Sequence, residues 1–224
     1  MTQTAHTLET IVPKAVHLPY LLFLPGDYGR DPGRRWPLIL FLHGAGERGS
    51  DFALVRRHGI AKVVEQCPDL PFITVSPQCP ADSTWMTELD GVVALLDDVI
   101  ARYAVDTDRL YLTGLSMGGY GTWYMAALHP DRFAAIVPIC GGGDWFFGFP
   151  GRVRVLKHLP VWAFHGAEDP LVPLEESQRL VRVLEECGGD VRLTVYPGVG
   201  HDSWTKTYDN PELYSWLLSH RRAG

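Results

Sequence analysis

Seven apolar runs of strand length punctuate the chain, at Leu18–Leu24, Leu38–Leu42, Phe72–Ser76, Leu110–Thr113, Ala135–Ile139, Val161–Phe164 and Val191–Tyr196. Most are continuous rather than alternating, the pattern of strands buried on both faces. Amphipathic stretches of helix length lie between them, at Phe52–Gln66, Leu89–Tyr103, Met117–Leu128, Leu174–Cys187 and Pro211–His220. Such alternation predicts an α/β fold with a mainly parallel central sheet and helices on both faces. The turn-rich PGDYGRDPGRR joining the first two runs predicts an antiparallel hairpin at the start of that sheet. No repeat, low-complexity tract or linker interrupts the pattern, so residues 1–224 read as a single domain. In an open parallel sheet the ligand crevice lies beyond the carboxyl ends of the strands, and the segments that follow each strand are where chemistry is to be sought.

Composition narrows the classes of function. A 46% hydrophobic and 21% charged chain is that of an ordinary folded protein. Its net charge of −6 argues against nucleic-acid partners, whose binding rests on neutralising phosphates. Arg56, Arg57 and His58 form the densest basic run, with Lys62 nearby, and read as a solvated helix face. No apolar run approaches the roughly 18 residues of a membrane span. The start, MTQTAHTLETIVPK, lacks a basic segment followed by an apolar core, so a cytoplasmic location is expected. Cys67, Cys79, Cys140 and Cys187 show no CxxC pair, which predicts no metal site; they read as reduced thiols, with a Cys67–Cys79 disulfide conceivable in an oxidising compartment.

The strongest chemical signal follows the fourth run. Gly114-Leu115-Ser116-Met117-Gly118 is a GxSxG set between a strand and a helix, the context in which a sharp turn exposes a nucleophilic serine. A hydroxyl is a weak nucleophile at neutral pH and needs a base, which in turn needs an orienting acid. After Val161–Phe164 the chain reads HGAEDPLVP; Asp169 is the expected acid, since Pro170 fixes the backbone beside it and the stretch matches HGxxDxxVP, although Glu168 is chemically capable. After Val191–Tyr196, PGVGHDSW places His201 in a glycine-bearing loop as the expected base. The order serine, aspartate, histidine is that of one recurring triad arrangement. His43 and His165 each end a strand just before a glycine and are read as structural residues of the crevice floor.

His43-Gly44-Ala45-Gly46-Glu47-Arg48-Gly49 contains a GxGxxG, which alone would suggest a dinucleotide. That reading requires an acidic residue at the end of the next strand, and Phe72–Ser76 ends in Pro77 and Gln78 instead. No cofactor is therefore predicted. In the hydrolytic reading the same glycines let the Ala45 N–H face the crevice beside that of Met117, as two donors to a developing oxyanion, with Glu47 and Arg48 bracing the loop. Trp85, Tyr120, Trp145 and Trp204 lie near crevice loops and are candidates for an apolar acyl or aryl pocket. Only about twenty residues separate Ala135–Ile139 from Val161–Phe164, which predicts an open site with no large lid domain.

Taken as an ordered set, LPYLLFLP, WPLILFLHGAGERG, SPQCP, GLSMGGYGTW, PICGGGD, HGAEDPLVP and GHDSW resemble the compact bacterial esterase and "predicted peptidase" branch of the α/β-hydrolases, close to feruloyl, acetyl and polyhydroxybutyrate-depolymerase-like esterases. The resemblance implies a catalytic triad of Ser116, Asp169 and His201 with oxyanion donors at Ala45 and Met117. It implies a serine carboxylesterase acting on small esters through an acyl-serine, without metal or organic cofactor. A peptidase or thioesterase using the same apparatus is the near alternative. A dinucleotide-binding oxidoreductase and a non-catalytic hydrolase-fold binding protein are the distant ones.

Overall fold

A computed structural model describes residues 3–143 and 148–222. Its strands are β1 (Tyr20–Phe23), β2 (Trp36–Leu42), β3 (Ile73–Pro77), β4 (Val105–Leu115), β5 (Ala135–Ile139), β6 (Val161–Gly166) and β7 (Val191–Tyr196). The helices are α1 (Phe52–Val55), α2 (Gly59–Gln66), α3 (Trp85–Arg102), α4 (Met117–Leu128), α5 (Phe149–Arg152), α6 (Leu174–Glu186), α7 (Trp204–Tyr208) and α8 (Pro211–Ser219), with 3₁₀ turns at Ala45–Glu47 and Val153–Leu156. The seven strands form one sheet in the order β1-β3-β2-β4-β5-β6-β7, parallel except for β1.

The continuous apolar runs are explained by two cores, one on each face. In β2, Leu38, Leu40 and Leu42 face α3, α4 and α6 through Val92, Leu96, Trp123 and Leu180. Ile39 and Phe41 face the other way, against Ile60 of α2 and, among the residues of the same cluster, Leu213 and Leu217 of α8. Successive residues of a strand point to opposite faces, so a strand between two helical layers must be apolar throughout.

The expected hairpin between the first two runs does not form. β1 pairs antiparallel with β3, Tyr20 opposite Pro77 and Phe23 opposite Thr74, while β2 lies between β3 and β4. Burial decides this: β2 is buried at all seven positions and needs a neighbour on each side, whereas every residue of β1 is only half buried, which suits the sheet edge. The long intervening loop can cross the strand that separates them, and it is anchored on the way by Gly26 N–H to Pro68 O and Ala104 N–H to Tyr28 Oη. Two other expectations are corrected. The predicted helix Phe52–Gln66 is split at Arg56–His58, with Gly59 pressed on the Phe41 ring, and the third helix begins four residues earlier than predicted, at Trp85. Cys67 and Cys79 are both free thiols, one exposed and one buried.

Between β5 and β6 the described residues hold only α5 and a 3₁₀ turn, so the crevice has no helical cover built from them. The tightest point of the fold lies at that crevice. A methyl group on Gly118 would sit 1.9 Å from the Leu42 carbonyl oxygen and 2.7 Å from that of His43, inside any allowed contact. Gly118→Ala must therefore push α4 away from β2. It is expected to cost about 3 kcal/mol or more, a fall in Tm of roughly 6–12 °C for a chain of this size. Gly151→Ala, which meets nothing within 4 Å, should leave the melting curve almost unchanged. Equal melting temperatures for the two variants would show that the elbow is looser than this packing implies.

Candidate active site

Ser116 stands between the last residue of β4 and the first of α4, with φ 52° and ψ −117°, a conformation that L-residues rarely adopt. Holding it costs of order 1–3 kcal/mol, which the surrounding packing must supply. The backbone is pinned from both sides: Ser116 N–H donates to Ile139 O at 3.0 Å and to Cys140 Sγ at 3.3 Å, and Tyr120 N–H donates to Ser116 O at 3.0 Å. The turn thus lifts the hydroxyl above the sheet at the start of a helix. Met117, the first helical residue, has an N–H with no acceptor inside the helix.

The loops after β6 and β7 bring the other two expected residues to the serine. They lie so close that a methyl group on Gly166 would be 2.1 Å from Gly200 O, and Glu168 N–H donates to Val199 O at 2.9 Å. His201 Nε2 is 2.9 Å from Ser116 Oγ and its Nδ1 is 2.7 Å from Asp169 Oδ2. The other carboxylate oxygen, Oδ1, accepts Leu171 N–H at 2.9 Å and Val172 N–H at 3.0 Å. Burial pushes the Asp169 carboxyl up, but the hydrogen bonds from His201, Val172 and Leu171 outweigh it and hold the group below its ordinary value. A charged carboxylate only accepts, so the His201 proton sits on Nδ1 and the Nε2 lone pair faces the serine hydroxyl. Glu168 is exposed and takes no part in this row.

The loop after β2 lies alongside. Gly44 packs against Leu115 and Ser116, and Ala45 opens the 3₁₀ turn. His43 is buried, and burial lowers its pKa to about 4, so its ring is neutral. Its Nε2 accepts Cys79 N–H at 3.0 Å, which leaves the proton on Nδ1 to be donated to Gly44 O at 2.6 Å. In a trans peptide the carbonyl and the following N–H point in opposite directions. Drawing the Gly44 oxygen toward His43 therefore turns the Ala45 N–H away from it. Arg48 braces the same loop, donating to Ala45 O at 3.0 Å and Ser83 O at 3.2 Å, and Gln78 donates to Glu47 O at 2.8 Å. Glu47 is buried, with carboxylate oxygens 3.9 Å from His43 Nδ1 and 4.0 Å from His58 Nε2.

The four aromatic residues expected at a pocket have different fates. Trp85 is wholly buried; its indole N–H donates to His43 O at 2.8 Å, so it supports the loop from beneath and offers substrate no surface. Trp204 stands edge-on to His201 at 5.2 Å and to His58 at 5.6 Å. Tyr120 is half buried beside Glu176 and Gly142, and burial pushes its phenol up to about 12, which keeps it protonated. Trp145 lies outside the described residues. Among those residues, the one His/Cys/carboxylate group spaced like metal ligands is Cys140, Asp169 and His201, and two of these already bond each other. A separate depression of about 620 Å³ opens at the opposite end of the sheet near Leu110 and Pro130; its Arg132 and Arg222 are paired with Asp97 and Asp108.

Residues that the sequence had not tied to the site are Ser177, which contacts His165 from α6, and Gln78 and His58 on the side of the loop after β2. Only the two His-Gly pairs signalled any of this surrounding structure.

A mainly parallel sheet flanked by helices, with a serine on a strained strand-to-helix turn, is the α/β-hydrolase fold. Its solved counterparts include a thermostable esterase, 39% identical with a TM-score of 0.80 over 93% of this chain; the chain spans 60% of that protein's length. A poly(3-hydroxyoctanoate) depolymerase of Pseudomonas fluorescens is 26% identical over 205 residues, covering 76% of this chain and 73% of the depolymerase. Acyl-protein thioesterase 1 of Gibberella zeae is 23% identical over 209 residues, covering 79% of this chain and 88% of the thioesterase. The chain belongs to the phospholipase/carboxylesterase family, whose model matches residues 72–210. That span includes Ser116, Asp169 and His201 but not the loop of Ala45. No helix of the described residues is long and apolar enough to cross a membrane.

Proposed function

We propose that this chain is a serine carboxylesterase that hydrolyses small carboxylic esters, with short acyl or aryl groups, through an acyl-enzyme on Ser116. The observation that carries the reading is the unbroken row Ser116 Oγ, His201, Asp169 at 2.9 and 2.7 Å. His201 Nε2 takes the hydroxyl proton as Ser116 Oγ attacks the ester carbon, and Asp169 stabilises the imidazolium that results. The negative oxygen of the tetrahedral intermediate is received by the N–H groups of Ala45 and Met117. One such donor is typically worth about 3–4 kcal/mol in the transition state. As the intermediate collapses, the imidazolium returns the proton to the departing alcohol. A water molecule, deprotonated by the same imidazole, then attacks the acyl carbonyl, and Ser116 leaves with the proton. No step calls for a metal or an organic cofactor.

The relationship to an acyl-protein thioesterase favours a second reading, in which the scissile bond is a thioester and the apparatus is unchanged. A fluorophosphonate that labels only activated serines, followed by rates on p-nitrophenyl acetate, butyrate and octanoate, methyl ferulate and an S-acyl thioester of matched chain length, decides between them. The expected result is labelling at Ser116 and the highest kcat/KM on a short or aryl oxygen ester. Absence of labelling would overturn the reading, and a thioester preferred by tenfold or more would replace it with the second.

A further inference from the structure

His165 is the penultimate residue of β6 and is completely buried, as is Ser177 on α6. The imidazole Nε2 lies 2.9 Å from Val172 O and 3.4 Å from Asp169 Oδ2, the same oxygen that accepts from His201. Both neighbours of Nε2 are acceptors, so this nitrogen carries a proton, which it donates to Val172 O with the Asp169 carboxylate at longer range beside it. Burial lowers the pKa of His165 despite the hydrogen bond to Val172 and the charge of Asp169, and His201 acts in the same lowering direction. The ring is neutral, so Nδ1 is bare and accepts the Ser177 hydroxyl at 2.7 Å, while Ser177 Oγ also lies 3.1 Å from Gly141 O. Val172 closes the circuit from the other end, its N–H on Asp169 Oδ1 and its carbonyl on His165.

We propose that His165 is a positioning residue for the acid of the triad, aiming the Asp169 carboxylate at His201 and dispersing part of its negative charge. The inference rests on the reading of Ser116, His201 and Asp169 given above. Three facts favour it over a merely space-filling histidine. Both ring nitrogens are occupied by specific partners. One of those partners belongs to the loop that holds Asp169. The other, Ser177, stands beside Gly141, whose backbone is packed against Gly119 in the first turn of α4, so one imidazole links the acid loop to the turn of the nucleophile. The titratable groups acting on His165 are Asp169 and His201; from α6 it meets the uncharged Ser177.

The test compares His165→Leu, which fills the space without a donor, with His165→Gln, whose amide N–H can reach the place of Nε2. All rates are referred to sites titrated with the fluorophosphonate, so that unfolded protein does not count. For His165→Leu we expect kcat to fall roughly 10- to 100-fold with KM nearly constant, since a misaligned catalytic group costs rate rather than binding. The acid limb of kcat/KM should move to higher pH, because a carboxylate that has lost the nearby imidazole N–H dipole presents more charge to His201. His165→Gln should recover most of both. Should His165→Leu fail to fold, Ser177→Ala removes only the hydroxyl that seats Nδ1 and should show a smaller fall in kcat with the same direction on the acid limb. A titrated His165→Leu or Ser177→Ala enzyme with the parent kcat and pH profile overturns the proposal. If Ser116→Ala itself retained the parent rate, the triad reading would fall first; if that variant is dead and His165→Leu is unaffected, only the role of His165 is lost.

Discussion

Ser116→Ala is expected to lower kcat by roughly 10⁴–10⁶-fold while the protein folds as before. In the proposed mechanism the substitution removes the one atom that forms the acyl bond, and it leaves everything that shapes the turn. Ser116 N–H keeps Ile139 O and Cys140 Sγ as acceptors, and alanine retains the Cβ that makes φ 52° unfavourable. Some acceleration over water should survive, because the two proposed main-chain donors would still receive an oxyanion when water attacks directly. Ser116→Gly separates the chemistry from the strain. It should be as inactive as the alanine variant yet no less stable, since relief of about 1–3 kcal/mol of backbone strain opposes the entropy glycine adds to the unfolded chain, roughly 0.4–1 kcal/mol. Steady-state kinetics and paired melting curves on the two variants check both statements. Ester hydrolysis undiminished in Ser116→Ala would mean that another group is the nucleophile.

What could be read from the sequence and what could not follow from the range of the interactions concerned. The turn of Ser116 and the loops of Asp169 and His201 are local structures, set by glycines and a proline within a few residues, and they follow strands marked by their own apolar runs. The partner of β1 was not legible, because a hairpin and a crossover leave the same local pattern; the full burial of β2 on both faces selects between them only once the whole sheet is assembled. Trp85 illustrates the same limit. Its position after SPQCP pointed to the crevice, but starting α3 at that residue turns the indole under His43 and against the backbone of Gly121, where α3 and α4 meet. For His165 the strand end was visible, whereas Ser177 lies 12 positions along on another element. A histidine's partner across elements is a tertiary fact.

Asp169→Asn is expected to lower kcat by about 10⁴-fold with little change in fold, the size of effect seen when a triad histidine is left in the wrong tautomer. The direction follows from the hydrogen bonds around the side chain. Leu171 N–H and Val172 N–H both point at Oδ1, so an asparagine must keep its carbonyl oxygen there and turn its NH₂ to the place of Oδ2. That NH₂ then faces His201 Nδ1, which can satisfy it only as an acceptor. The imidazole proton is driven to Nε2, where it meets the Ser116 hydroxyl at 2.9 Å with no lone pair to take its proton. The base is thus present, correctly placed and unable to act. Flipping the amide would restore the tautomer but set NH₂ against two backbone donors, and leaving buried polar groups unsatisfied costs about 1–3 kcal/mol each. Exposed Glu168 does not substitute, because Asp169 holds the one carboxylate within 4.0 Å of the His201 ring nitrogens among the described residues. ¹⁵N chemical shifts of His201 should report Nδ1 protonated in the parent and Nε2 protonated in the variant. A variant within tenfold of the parent rate, with Nε2 still bare, would show that the imidazole is oriented by something other than this carboxylate.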